Sequence, residues 1–300
     1  MFKHLLVPLD GSRLAEAALP AAAYLAQVLG ANVTLIHIIE HNAPKEVHNE
    51  RHLTNPLEAE AYLEEIASRA FPPTVKVERH VHSSEVDKVA PSLVEHTQEM
   101  QYDLVVMCTH GKSGPRDWIY GSIAQQVIGM KKTPVFLIRP NEMAESQAYH
   151  CRKILVPLDR IAEHELGLSL AVELAKACQA GLHMLMVVPT FGTLSGEGKA
   201  ASRLMPGATA AALDMVEAEG EDYLKTIWLK LKESGIPITM EVERGDPANT
   251  IVETSEKTGA DLIVLGTHGR AGMDAFWSGS VAPKISSHSS IPLLLVPVAD

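Results

Sequence analysis

The residues best suited to chemistry are Gly266-Thr267-His268-Gly269, followed after nine further residues by Gly279-Ser280. Glycines at these points permit tight turns with positive φ and let a ligand approach backbone that a side chain would cover. Ser280 stands where a helix can open, at Val281-Ala282-Pro283-Lys284-Ile285. Its hydroxyl and the free N–H groups of that first turn then face one spot, which suits an anion, and phosphate above all. Two better-known phosphate patterns fail. Gly111-Lys112-Ser113 resembles the end of a P-loop, but Val106 holds the place of the first glycine. No G-x-G-x-x-G follows a strand.

Other polar groups near these glycines have ordinary roles open to them. His110 and His268 could act as a base or touch phosphate, but no Ser-His-Asp or metal spacing accompanies them, so packing of the loop through ring hydrogen bonds is expected. Asp117 and Asp274 could hold a magnesium ion or simply face solvent, and surface exposure is the default for Lys112, Arg116 and Arg270. His41, His48 and His52 lie in a polar loop and with His37 could be imagined as a metal cluster, but their spacing does not share a helical face, and a solvated loop is expected instead. No metal site and no catalytic residue is assigned.

The elements that must position these groups occur twice. Lys3-His4-Leu5-Leu6-Val7-Pro8-Leu9-Asp10 returns as Lys153-Ile154-Leu155-Val156-Pro157-Leu158-Asp159, 149 residues later (Asp159 against Asp10). Thr109-His110-Gly111, Gly121-Ser122 and Thr133-Pro134-Val135 return as Thr267-His268-Gly269, Gly279-Ser280 and Ile291-Pro292-Leu293, 158 residues later (Gly269 against Gly111). The chain is a tandem duplication, with domains at 1–142 and 151–300 and nine residues added inside the second copy. In the first copy strands are expected near 3–9, 31–38, 74–81, 103–107 and 134–138, with helices over 13–29, 56–69, 86–99 and 122–131. Solidly apolar strands such as Leu104-Val105-Val106-Met107 and Leu293-Leu294-Leu295-Val296 are those of a sheet covered on both faces. The fold class is therefore α/β, two doubly wound domains, each a five-stranded parallel sheet flanked by helices, with ligands at the carboxyl ends of the strands. The extra length of the second copy falls in a Gly-, Pro- and Ala-rich segment, 189–212, expected as a surface insertion, with a lid as the alternative.

Composition sets the outer limits. The 300 residues are 46% hydrophobic and 21% charged, ordinary for a globular protein of two domains. A formal charge of −11 argues against broad contact with nucleic acid or an anionic membrane, yet permits a small nucleotide held by backbone N–H groups. Cys108, Cys151 and Cys178 show neither paired nor zinc spacing, and no apolar stretch reaches 18 residues, so a reducing cytoplasm is expected.

With its V-P-x-D openings, the strand Asp261-Leu262-Ile263-Val264-Leu265, the glycine pattern and the closing Ile291-Pro292-Leu293-Leu294-Leu295-Val296-Pro297, the chain resembles the universal stress protein family over nearly its whole length. In that family G-x2-G-x9-G-S/T marks the members that bind ATP. The resemblance implies that Gly269, Gly279 and Ser280 hold the phosphates and Gly266 lies by the ribose. It places Asp159, with Pro157, at the adenosine end, Val187 at the adenine edge, and Gly245-Asp246-Pro247 on the border. In the first copy Asp10, Ile38, Gly111, Gly121 and Ser122 keep the pattern, but Cys108 replaces the first glycine and Ser84-Glu85-Val86 replaces Gly-Asp-Pro. The first copy is expected to be degenerate, its binding weak or missing, with Cys108 crowding the ribose and Glu85 repelling phosphate. The implied function is a stress-response protein that binds ATP, with or without magnesium, as a sensor or regulator. A slow magnesium-dependent hydrolase built on Asp274 or His268, and a scaffold or chaperone-like partner with vestigial pockets, are the alternatives. The resemblance also implies pairing through last strands, so that 135–138 and 293–296 form an internal pseudo-dimer, and it leaves a homodimer open.

Overall fold

A computed structural model describes residues 1–41, 43, 46–47, 50–109, 122–130, 132–140, 148–161, 165–194, 196–267 and 281–297. The chain forms two compact units. One is built on Met1–His150 with the closing strand Leu293–Pro297, the other on Cys151–Thr267 with the helix Val281–His288.

In the first unit the strands are β1 (His4–Pro8), β2 (Asn32–Glu40), β5 (Val77–Val86), β6 (Leu104–Cys108) and β7 (Val135–Ile138), all parallel, in the order β7-β6-β1-β2-β5. The final strand, β12 (Leu293–Pro297), lies beside β7 and runs antiparallel to it, with Leu293, Leu294 and Leu295 opposite Leu137, Phe136 and Val135. The two closing strands thus pair as expected. A two-strand hairpin, β3 (Glu46–Val47) and β4 (Glu50–Arg51), was not anticipated. Leu5, Leu6 and Val7 of β1 are fully buried, as are Leu104 and Phe136, which is the double-sided covering that their unbroken apolar runs require. Each such side chain contributes roughly 1.5–3 kcal/mol through burial.

The expected helix over 13–29 is two pieces, α1 (Arg13–Glu16) and α2 (Leu19–Leu29). Pro20 lies in the first turn of α2. Without an N–H, and with its ring pressed against the carbonyl four residues back, it cannot continue a helix from α1. Gly30, with φ 63°, ends α2 in the left-handed conformation that glycine adopts at least cost. The helices α3 (Pro56–Ala70), α4 (Val89–Glu99) and α5 (Ser122–Gly129) follow the sequence closely. β5 extends to Val86, beyond the expected end at 81, through a register shift between Ile38 and Glu40 of β2.

The second unit repeats the plan with β8 (Lys153–Leu158), α6 (Glu165–Cys178), β9 (Gly181–Val188), β10 (Ile238–Arg244), α9 (Pro247–Thr258) and β11 (Leu262–Thr267). Its parallel order is β10-β9-β8-β11. The second copy's expected fifth strand is β12, which the compact grouping places with the first unit. Ser169 occupies the place of Pro20, and α6 runs unbroken. The 189–212 segment, expected as a surface insertion, is largely helical. It forms α7 (Gly196–Leu204) and the start of α8 (Pro206–Leu231). Pro206 suits a first helical turn, and Ala208 to Leu213 is rich in strong helix formers. Both units tie the helix after their first strand to a tyrosine: Tyr62 donates to Glu16 (3.2 Å) and Tyr223 to Glu165 (3.0 Å). Burial first, then the adjacent carboxylate, pushes both phenols up, so each remains a donor at any physiological pH. Among the described residues no helix is long and apolar enough to cross a membrane.

Candidate functional site

In each unit the strand order reverses beside the first strand: β1 lies between β2 and β6, and β8 between β9 and β11. The crevice beyond the carboxyl ends at such a reversal is where open α/β sheets hold ligands. In the second unit the paired residues Leu155 and Ile263 are each three residues short of Leu158 and Gly266, so Asp159 and Gly266 leave the sheet at the same edge. Val187 is the penultimate residue of the neighbouring strand there, one place beyond the Leu158–Met186 pair. Pro157 sits just inside that edge, opposite Leu185.

Local chemistry fixes this edge. Asp159 Oδ1 accepts the N–H of Ile161 (3.1 Å), closing a turn around Arg160, whose φ of 65° is left-handed. A Cβ at Gly167 of α6 would lie 3.2 Å from the Gly266 nitrogen, so helix and strand meet with little space between them. A Cβ at Gly245 would lie 2.2 Å from Thr250 Oγ1. Asp246 then caps α9 by accepting the N–H of Asn249 (3.2 Å), with Pro247 in the first turn. Gly269, Gly279 and Ser280 lie outside the described residues, as do His268, Arg270 and Asp274.

The first unit holds a cavity of about 250 Å³ at the same topological position. Leu9, Asp10, His37, Ile38, Cys108 and Ile123 are among its walls. They come from the ends of β1, β2 and β6 and from the first turn of α5, whose free N–H groups make this end of the cavity favourable to anions. Asp10 Oδ1 accepts from the Ser12 N–H (2.9 Å) and hydroxyl (2.6 Å), while Ser12 caps α1 by accepting from Ala15 N (3.2 Å). The intervening Gly11 has φ 91°, so Asp10-Gly11-Ser12 forms the same kind of turn as Asp159-Arg160-Ile161. Of the expected weaker-site residues, Asp10 and Ile38 line this cavity. Ser122 opens α5, and Gly111 and Gly121 lie outside the described residues, with His110, Lys112, Arg116 and Asp117.

Cys108 does occupy cavity wall, and its Sγ donates to the Ala15 carbonyl (3.7 Å). Burial, then the Asp10 charge, pushes the thiol up, so it is a neutral wall rather than a thiolate nucleophile. Ser84-Glu85-Val86 belongs to β5 rather than to a turn, so the first unit lacks the capped Gly-Asp-Pro corner, and α4 opens at Lys88 with no side-chain cap. The Glu85 side chain lies outside the described residues. The solvated-loop expectation fails for His52, which is buried, as is His37 of β2, their rings 6.3 Å apart. His37 Nδ1 lies 2.7 Å from the Leu9 carbonyl and Nε2 2.8 Å from the Leu53 carbonyl, which leaves neither nitrogen for a metal. A polar residue inside the apolar run Leu35-Ile36-His37-Ile38-Ile39 was the sequence signal for this role. His48 lies outside the described residues.

The sequence pattern of the universal stress protein family matches residues 1–139 and again 150–297. Universal stress protein MJ0531 of Methanocaldococcus jannaschii is 32% identical over 147 residues, 48% of this chain and 81% of that protein. The universal stress protein E homolog of Haemophilus influenzae is 25% identical over 254 residues, covering 78% of this chain and 72% of its own. Among solved structures, a universal stress protein of Archaeoglobus fulgidus superposes with a TM-score of 0.67 over 99% of this chain and 97% of its own, at 18% identity. That likeness establishes the fold.

Proposed function

Because the chain belongs to the universal stress protein family, we propose that it binds ATP, chiefly in its second repeat, and serves as a nucleotide-dependent sensor or regulator. The observation that carries this reading is the complete G-x2-G-x9-G-S sequence. It begins at Gly266, on the strand edge shared with Asp159 and Val187. In this reading Asp159 and the Val187 backbone face the nucleoside, and Gly266 leaves room for the ribose. Gly269, Gly279, Ser280 and the first turn of Val281–His288 take the phosphates. In this reading the first repeat is a second, weaker place, with Cys108 in the wall of its cavity. At about 250 Å³ it is smaller than the roughly 300–1,000 Å³ of drug-sized ligand pockets.

Regulation is preferred over turnover because no Ser-His-Asp or metal spacing accompanies the glycine pattern in the sequence. In the first repeat's cavity the thiol is held neutral and the His37 ring is engaged by two backbone carbonyls, so neither is poised to activate water there. Domain limits of 1–142 and 151–300, a cytoplasmic setting and a homodimer belong to the same proposal. Calorimetric titration of the full chain with ATP, with and without magnesium, tests it. Saturable binding that is lost in Gly279→Val is expected, and no binding by the folded wild type would overturn it. A phosphate-release assay then separates regulator from hydrolase: bound ATP persisting with magnesium supports the first, steady release the second.

A further inference from the structure

The outer strand of the first unit's sheet carries a group of side chains that the nucleotide reading does not use. His80 and His82 are two residues apart on β5 and so share a face, and His96 of α4 meets them. One ligating nitrogen from each ring lies within 4.8 Å of the others, and His80 Nε2 and His96 Nε2 are 3.1 Å apart. The ring centroids of His82 and His96 are 5.0 Å apart, as are those of His80 and His96.

The second unit shows what this place ordinarily does. His80 and His82 pair with Ile36 and Ile38 of β2, while Glu241 and Glu243 pair with Leu185 and Val187 of β9. These are matching positions of the duplicated sheet, since Leu185 and Val187 lie 149 residues after Ile36 and Ile38. There Lys257 of α9 bridges Glu241 (3.2 Å) and Glu243 (3.1 Å), an ion pair tying strand to helix. In the first unit the same strand and helix present three imidazoles, and among the described residues no such pair of opposite charges. Imidazoles gathered in this way suit a divalent cation of zinc's class.

We propose that His80, His82 and His96 bind a divalent late-first-row transition ion, zinc being the one meant, which ties β5 to α4. The His96 tautomer is set for this. Its Nδ1–H donates to the Ser92 carbonyl at 2.7 Å, which leaves the Nε2 lone pair facing the other rings. A backbone carbonyl in that outer position is the usual means of orienting a ligating histidine. When the ion enters, the proton between His80 and His96 moves to the outer Nδ1 of His80, so all three rings bind neutral and no net proton is lost. Zinc–nitrogen bonds of about 2.0–2.1 Å place tetrahedral nitrogens about 3.4 Å apart, so one ring shifts by about 1 Å. His96 is buried, and His80 and His82 are half-buried, which leaves solvent water to fill the fourth position. Among the described residues no further histidine, cysteine or carboxylate joins the three. The sequence gives no spacing signal, because His96 comes from a separate element and only the fold brings it to the strand.

Cobalt(II) is the probe, titrated into tag-free full-length protein and followed by the intense visible bands of its tetrahedral complexes. One equivalent is expected to bind wild type and to be displaced by zinc. Affinity is expected to fall about 100-fold or more in His96→Ala and in His82→Asn, beyond the loss typical of an outer-shell partner. His183→Gln, in the other unit, is expected to bind as wild type does. Since His96 is buried, His82→Asn decides if His96→Ala fails to fold, with circular dichroism verifying the fold. Zinc should also raise the Tm of wild type and not that of His82→Asn. The proposal is overturned by an octahedral spectrum, by absence of binding, or by binding undiminished in folded His82→Asn.

Discussion

Single residues set the shape of both strand-end turns. Gly11 combines φ 91° with a virtual Cβ 2.8 Å from Leu53 Cγ. Gly11→Ala is therefore expected to lower unfolding free energy by about 1–3 kcal/mol in urea titrations. Adding Leu53→Ala should relieve the steric part without removing the backbone part, so in the Leu53→Ala background Gly11→Ala should cost less but still destabilise. His183 offers a separate test. It is buried between Thr239 (2.7 Å) and Glu241 (3.1 Å), and burial holds its ring below the usual imidazole range, although Glu241 pulls the other way and Lys153 and Lys257 add to the lowering. The unfolded chain then takes up the proton more readily than the folded one. Stability is lost as pH falls below about 6.5 and levels off once the folded ring is also protonated. His183→Gln should flatten the fall in Tm between about pH 7 and pH 5; an unchanged slope would contradict the assignment.

At the scale of elements, the two copies differ in how each helix begins. α9 is capped by Asp246 and α4 has no side-chain cap. Asp246→Ala is expected to cost about 1 kcal/mol in equilibrium denaturation, and no loss would show the cap to be replaced by water. Element order was legible in the sequence because the buried strands are unbroken apolar runs and because each is written twice, as at Leu5-Leu6-Val7 and Ile154-Leu155-Val156. The misses have local causes. Pro20 breaks a helix whose apolar spacing is otherwise continuous. The Gly-, Pro- and Ala-rich insertion carried no helix expectation, although its alanines favour one. The strand-to-helix meeting of His80, His82 and His96 depends on packing between distant segments, which no spacing rule reports. Of the candidate site, the residues themselves showed only a glycine pattern following an apolar run; the roles of Asp159, Val187 and Gly266 are what the family resemblance implies. His52 was misjudged because it was grouped with the polar residues around it, whereas it is buried beside His37 of β2.

For the whole molecule, duplication has left one copy with the full glycine pattern and the other with Cys108 in place of its first glycine. Cys108, whose thiol meets the Ala15 carbonyl, stands where the second copy has Gly266, against which Gly167 packs closely. The central claim is that the second copy holds the nucleotide. The most direct measurement is a calorimetric ATP titration of the full chain as wild type, Gly279→Val and Gly121→Val. The account predicts that Gly279→Val removes the tighter binding while Gly121→Val leaves it in place. Tight binding that survives Gly279→Val and disappears in Gly121→Val would contradict it, and would assign the nucleotide to the first copy.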